Sequence, residues 1–189
     1  MALQKIEKYG YGQLELNLVA FRRTGRVVAQ YKAGTTFTGA TGDDRYLENG
    51  MLLKVDGAKR CVDKADPAEG DIFALNYSTE HMYDEREYRY ADFRLNSTDD
   101  FYPRLGYLDL GDKFTTNALC YDDTEYTSEA LAIKALEACK TAPIYGGACE
   151  NGYIKISATL PTAGPALRVI EYYTMPDGQP GVKFEVVRA

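Results

Sequence analysis

The sequence predicts a mostly β fold, a barrel or sandwich with one packed α-helix at about 128–140 and long loops, and three features carry that expectation. Short segments alternate apolar and polar residues, as where Leu14, Leu16 and Leu18 are separated by Glu15 and Asn17, the period of a half-buried strand. Turn signals recur between such segments, at Thr24-Gly25, Asn49-Gly50, Gly70-Asp71, Gly111-Asp112 and Pro176-Asp-Gly178, where small and polar residues accept the backbone angles of a tight reversal. Helical spacing of apolar residues is convincing only after Thr127.

In order along the chain, Leu14 to Leu18 and Arg26 to Tyr31 flank Thr24-Gly25 as a hairpin. Lys32 to Asp44 is rich in Gly, Thr and Asp, a loop or extended arm of the kind that carries function or orders against a partner. Met51 to Val55 and Ile72 to Tyr77 follow as strands, with turn-rich Asp63 to Glu69 between them, and Tyr107 to Leu110 passes through Gly111-Asp112 into a strand over Lys113 to Leu119.

The helix begins at Ser128, which can cap it, with Glu129 at the positive end of its dipole. Leu131, Ala132, Ala135, Leu136 and Cys139 share one arc, Lys134 and Glu137 lie opposite, and Ile133 sits just beyond the arc. Pro143 and Gly146-Gly147 stop the helix. Tyr153 to Thr159, Leu167 to Tyr173 and Val182 to Val187 read as a meander that closes the sheet. The organisation expected is an N-terminal hairpin and Gly/Thr-rich arm or loop over 1–44 before a β-rich core domain over 45–189, or a single domain over 1–189.

A chain of 189 residues with 45% apolar and 26% charged composition can bury one sizeable core, which excludes global disorder. Its net charge of −6 gives no attraction to phosphate backbones, so nucleic acid is not an expected partner. Arg22, Arg23 and Arg26 form the one close basic group and read as a solvated turn. Met1 to Gln13 lacks the apolar middle of a secretion signal, and no apolar run approaches bilayer length. Synthesis in the cytoplasm, with no membrane partner, is therefore expected. Cys61, Cys120, Cys139 and Cys149 are widely spaced, which encodes neither a zinc ribbon nor a dithiol motif and predicts reduced, mostly buried thiols. Asn76-Tyr-Ser78 and Asn96-Ser-Thr98 fit the glycosylation sequon but lack a secretion signal to bring them to it.

Chemistry is constrained by His81, the single histidine, which lies in a polar stretch with Glu80, Tyr83, Asp84, Glu85 and Arg86 and reads as a surface residue. Histidine metal sites are excluded, and a histidine-assisted nucleophile would depend on His81 alone. Phosphate-cradling, dinucleotide-binding and nucleophile-elbow motifs do not occur. The acidic pairs Asp43-Asp44, Asp99-Asp100 and Asp122-Asp123 could meet as a calcium site or a glycosidase pair, but read first as solvated loop carboxylates. Expected, then, are no catalytic residues, no metal and no cofactor.

Tyrosine is the unusual feature, with 16 copies and no tryptophan. A dense run holds Tyr77, Tyr83, Tyr88, Tyr90, Phe93, Phe101 and Tyr102 among Arg86, Arg89, Arg94 and Arg104. Tyr and Arg are the residues that protein contact surfaces favour. The stretch reads as an insertion or long loop between strands, or as tyrosines covering one edge of a barrel. The candidate partner or inter-subunit contacts are Lys32, Thr35, Phe37, Arg45, Tyr83, Arg86, Tyr88, Tyr90, Phe93 and Tyr102.

Glu-Asn-Gly-Met-Leu-Leu-Lys-Val-Asp at 48–56, Gly-Asp-Ile-Phe-Ala-Leu-Asn-Tyr at 70–77 and the stretch from Phe101 to Asn117 resemble the small decoration or cement proteins of tailed-phage heads. Glu150 to Ile156 and Val182 to Val187 fit the same resemblance, which spans roughly 45–187 and leaves 1–44 outside. It implies a non-enzymatic, β-rich virion protein bound to the exterior of a matured shell, with the major capsid protein as partner, often at three-fold or hexamer-centre positions. A homo-oligomer, first a trimer, is expected. The family has no active site to carry over. A tail- or fibre-associated carbohydrate-binding module is the alternative, and a carboxylate-based glycoside hydrolase stands behind it.

Overall fold

The computed structural model describes residues 2–8, 10–15, 26–78, 94–96 (backbone only), 102–176 and 178–189. The larger sheet has seven strands: β1 (Leu3–Lys5), β10 (Lys113–Thr116), β11 (Leu119–Asp122), β12 (Tyr145–Gly147), β13 (Ile154–Ser157), β14 (Ala166–Thr174) and β15 (Pro180–Arg188). Their order across the sheet is β1-β11-β13-β12-β14-β15-β10. The smaller sheet has six: β2 (Val27–Val28), β3 (Lys32–Ala33), β5 (Leu52–Asp56), β6 (Cys61–Asp63), β7 (Phe73–Asn76) and β9 (Leu105–Tyr107), in the order β2-β9-β7-β5-β6-β3. β4 (Tyr46–Glu48) and β8 (Arg94–Asn96) form a separate antiparallel pair. Two short α-helices, α1 (Thr35–Thr38) and α2 (Glu129–Glu137), complete the framework.

β11 runs parallel to β13, and β3 to β6, so both sheets are mixed. Both are open, with β1 and β10 at the edges of one and β2 and β3 at the edges of the other. The expectation of a mostly β fold holds as a sandwich, and the barrel form of it does not.

The period of two explains how the layers assemble. On β5 and β7, Leu52, Phe73 and Leu75 face a core shared with Phe114, Leu119, Ile154, Ile156, Leu167, Val182 and Phe184 of the larger sheet. Their strand neighbours Leu53 and Ala74 enter a second core with Phe37, Leu47, Met51, Val62, Leu105, Cys120 and Tyr153. Every residue of β7 is therefore buried, on either face. Each fully buried Leu or Phe contributes roughly 1.5–3 kcal/mol by leaving water.

α2 covers the first core with Ala132 and Leu136, followed by Cys139 just past its end. It is shorter than expected, and Leu131 is 47% exposed, so the apolar stripe is narrower than the sequence arc. Ser128 has the extended backbone of a cap, but its side chain makes no capping hydrogen bond. The Glu129 carboxylate instead accepts the backbone N–H of Glu7, at 2.8 Å.

The expected three-strand meander is corrected by β12. Gly146 and Gly147 do not simply end the helix; they lie in a strand between β13 and β14. Both are glycines because there is no room for a side chain. A Cβ on Gly146 would stand 2.7 Å from Ile154 Cγ2 and 2.9 Å from Phe184, and one on Gly147 would stand 2.8 Å from Pro161. β14 and β15 do form the expected antiparallel hairpin, but the sheet ends at β10 and does not close.

Lys32 to Asp44 is likewise no extended arm. It holds β3, α1 and the start of a 3-10 turn at Gly42–Arg45. Asp63 accepts the N–H and hydroxyl of Thr36, both at 2.8 Å, and Gly34 N–H bonds Val62 O at 2.8 Å. A side chain at Gly34 would run into the Asp63 carboxylate. Of the expected N-terminal hairpin, Leu14 bridges to Thr116 and Val27–Val28 pairs with β9, whereas 16–25, with Leu16, Leu18, Arg22 and Arg23, lie outside the described residues.

Candidate functional site

β7 and β9 are adjacent and antiparallel, with Asn76 opposite Leu105, so the tyrosine-rich stretch leaves from and returns to one strand pair. Its two ends are fastened together. Tyr77 N–H bonds Arg104 O at 2.8 Å, and Arg104 N–H bonds the Ser78 hydroxyl oxygen at 2.8 Å. Beneath them is a wholly buried polar network in which Ser78 Oγ donates to Asn76 Oδ1 (2.8 Å), Asn76 Nδ2 donates to Glu48 O (2.7 Å) and Ser78 N–H donates to Asn49 Oδ1 (2.8 Å). A further tie comes from the pairing of Tyr46, Leu47 and Glu48 with Asn96, Leu95 and Arg94. Between these ends, 79–93 and 97–101 lie outside the described residues.

Of the predicted contact residues, the structure brings Lys32 and Tyr102 together. Lys32 is exposed on β3, and its ammonium stands 5.2 Å from the ring centroid of Tyr102, itself 43% exposed. Arg45 is exposed, with its guanidinium 4.7 Å from the Tyr46 ring centroid and Nη2 donating to the Tyr46 hydroxyl at 2.5 Å. Cations seated on aromatic faces in this way are partly preordered for contact. Thr35 is exposed at the start of α1. Phe37 is not on the surface: it is fully buried in the second core. Tyr83, Arg86, Tyr88, Tyr90 and Phe93 lie outside the described residues, as do His81, Asp99 and Asp100.

A second cluster, which the sequence did not signal, joins the N-terminal segment to the sandwich. Glu48 is buried, and its Oε2 accepts the N–H of Gly12 at 2.9 Å and the hydroxyl of Tyr153 at 2.7 Å. The Lys8 ammonium donates to that same hydroxyl at 2.7 Å and stands 3.5 Å from the carboxylate. Lys5 approaches the Tyr153 ring to 4.9 Å and pairs with Asp44 at 3.1 Å. Lys64 donates to Asp44 O at 2.7 Å beside the Phe37 ring, and burial pulls its pKa down. Glu48, Tyr153 and Lys8 form a satisfied, buried electrostatic tie, with the exposed Lys5–Asp44 pair at its edge.

Of the acidic pairs, Asp43-Asp44 and Asp122-Asp123 lie within the described residues. Asp43 and Asp44 are exposed in the 3-10 turn. Asp122 is buried and shapes a turn by accepting the hydroxyl and N–H of Thr124, which hold its carboxyl below the ordinary value, while Asp123 accepts Ala2 N–H. Among the described residues, no group of three or more His, Cys, Asp or Glu side chains is placed to hold a metal ion. A cleft of about 400 Å³ is lined by Leu3, Asp66, Ala148, Glu150, Lys155 and Leu160, among others. Its Asp66 is engaged with the Glu150 N–H at 3.1 Å.

Comparison of the chain with protein-family models, with curated proteins and with solved structures finds no match.

Proposed function

We propose that this chain is a non-enzymatic structural protein of a virion, bound to the outer surface of a tailed-phage head and stabilising the shell through contacts with the major capsid protein. The observation that carries the reading is the tyrosine-rich excursion 77–104, rooted by buried hydrogen bonds in a two-sheet sandwich, with the cation–aromatic pairs Lys32–Tyr102 and Arg45–Tyr46 beside its base. A two-sheet scaffold with the Lys32–Tyr102 and Arg45–Tyr46 pairs beside that stretch fits shell contact, for which Tyr and Arg are favoured residues. The acidic surface keeps the free protein soluble before assembly. Association as a trimer on the shell belongs to the same proposal. Antibodies raised against the chain are expected to label the heads of intact particles from the outside. Labelling confined to tails would contradict the proposal.

A further inference from the structure

Cys120 and Cys149 are 29 residues apart, yet the fold sets their sulfurs at 3.4 Å, and both residues are fully buried. Cys120 sits on β11, held between β1 and β13. Cys149 lies in the turn from β12 to β13, which is fixed by Gly152 N–H on Cys149 O at 2.9 Å. Asn151 Oδ1 stands 3.0 Å from the Cys149 sulfur and 3.6 Å from that of Cys120, and also accepts Tyr153 N–H at 2.9 Å. Cys149 further approaches Tyr153 O to 3.1 Å. The pair is thus seated against acceptors of the β12–β13 turn. Cys61 and Cys139 have separate partners, Asp63 and the carbonyl of Ile170.

Burial normally makes a cysteine inert, and two further features set this pair apart. Ala148 and Glu150, on either side of Cys149, and Lys155, the register partner of Cys120, line the cleft beside Leu3 and Leu160, so solvent comes to the residues next to both thiols. The hydrogen bond from Cys120 also draws the Cys149 thiol below its usual pKa, while burial pushes Cys120 well above.

We propose that Cys120 and Cys149 form a reversible disulfide site that closes when the protein meets a peroxide small enough to enter from the cleft. The Cys149 thiolate attacks one oxygen of hydrogen peroxide and breaks the O–O bond; the leaving hydroxide takes up the thiol proton as water. Cys120 then attacks the sulfur of the Cys149 sulfenic acid, and the hydroxide expelled there leaves with the Cys120 proton as a second water. The two thiols are oxidised to one disulfide as the peroxide is reduced to water. From 3.4 Å the sulfurs need approach by only about 1.4 Å to reach a bond of about 2.05 Å. Closure would staple β11 to the β12–β13 turn.

The test uses the full chain, purified reduced and then exposed to hydrogen peroxide, with remaining thiols alkylated under denaturing conditions before peptide mass spectrometry. A cross-linked Cys120–Cys149 peptide, lost on adding dithiothreitol, is expected, with a rise in Tm on the order of 5–10 °C in the oxidised protein. C61A/C139A should behave the same way. Recovery of Cys120 and Cys149 both as alkylated thiols, or oxidation confined to Cys61, would overturn the proposal. It does not depend on shell binding.

Discussion

Tyr153 is the residue on which most of the buried charge converges: its hydroxyl accepts from Lys8 and donates to Glu48, and its ring lies under both Lys5 and Lys8. Removing the hydroxyl alone leaves Lys8 and Glu48 buried with one partner fewer each. Tyr153→Phe is therefore expected to lower the unfolding free energy by about 1–3 kcal/mol, measured by urea titration. Asp122 makes a different prediction, in pH. Its folded pKa is depressed by Thr124, so its contribution is complete above the unfolded value of about 3.9 and is lost as pH falls through the lower folded value. Asp122→Asn should flatten the acid limb of the stability–pH curve in that window and weaken the turn at neutral pH. An unchanged acid limb would argue against the Thr124 hydrogen bonds as its cause.

Among the elements, β12 separates what the sequence revealed from what it hid. β5, β7, β13, β14 and β15 are legible because runs of β-prone apolar residues lie beside turn signals. β12 is three residues long and contains two glycines, so propensity marks it as a breaker. Its reason lies across the sheet, in Ile154, Phe184 and Pro161. Gly146→Ala is accordingly expected to cost about 1–3 kcal/mol by overpacking, whereas Gly57→Ala, with open space around its Cβ, should be nearly neutral. Matched thermal melts of the two variants check this. The same cause explains the 32–44 segment. Its Gly and Thr content reads as an arm, but the residues that fold it, Asp63 and the cavity for Phe37, come from distant strands. For the candidate contact site, residue types pointed to Tyr and Arg, and topology added what they could not: β4 pairs with β8, and Lys32 meets Tyr102. The Glu48–Tyr153–Lys8 tie joins residues 105 apart and had no local signal.

For the molecule as a whole, the two open sheets share two cores, which makes the scaffold stiff where the excursion 77–104 is rooted. Shell binding should then respond to surface residues at that root, and substitutions there test it more cleanly than deletion of 34–42, which would remove Phe37 from the core. Lys32→Glu combined with Tyr102→Ala is expected to leave the melting temperature within a few degrees of wild type and to weaken binding about tenfold or more. The most direct test is co-sedimentation of the protein with cognate shells, unexpanded and expanded, with bound copies counted per shell. Saturable binding that prefers expanded shells, at a copy number matching the lattice and lost first in the double variant, is the predicted result. No binding to either shell would contradict the account.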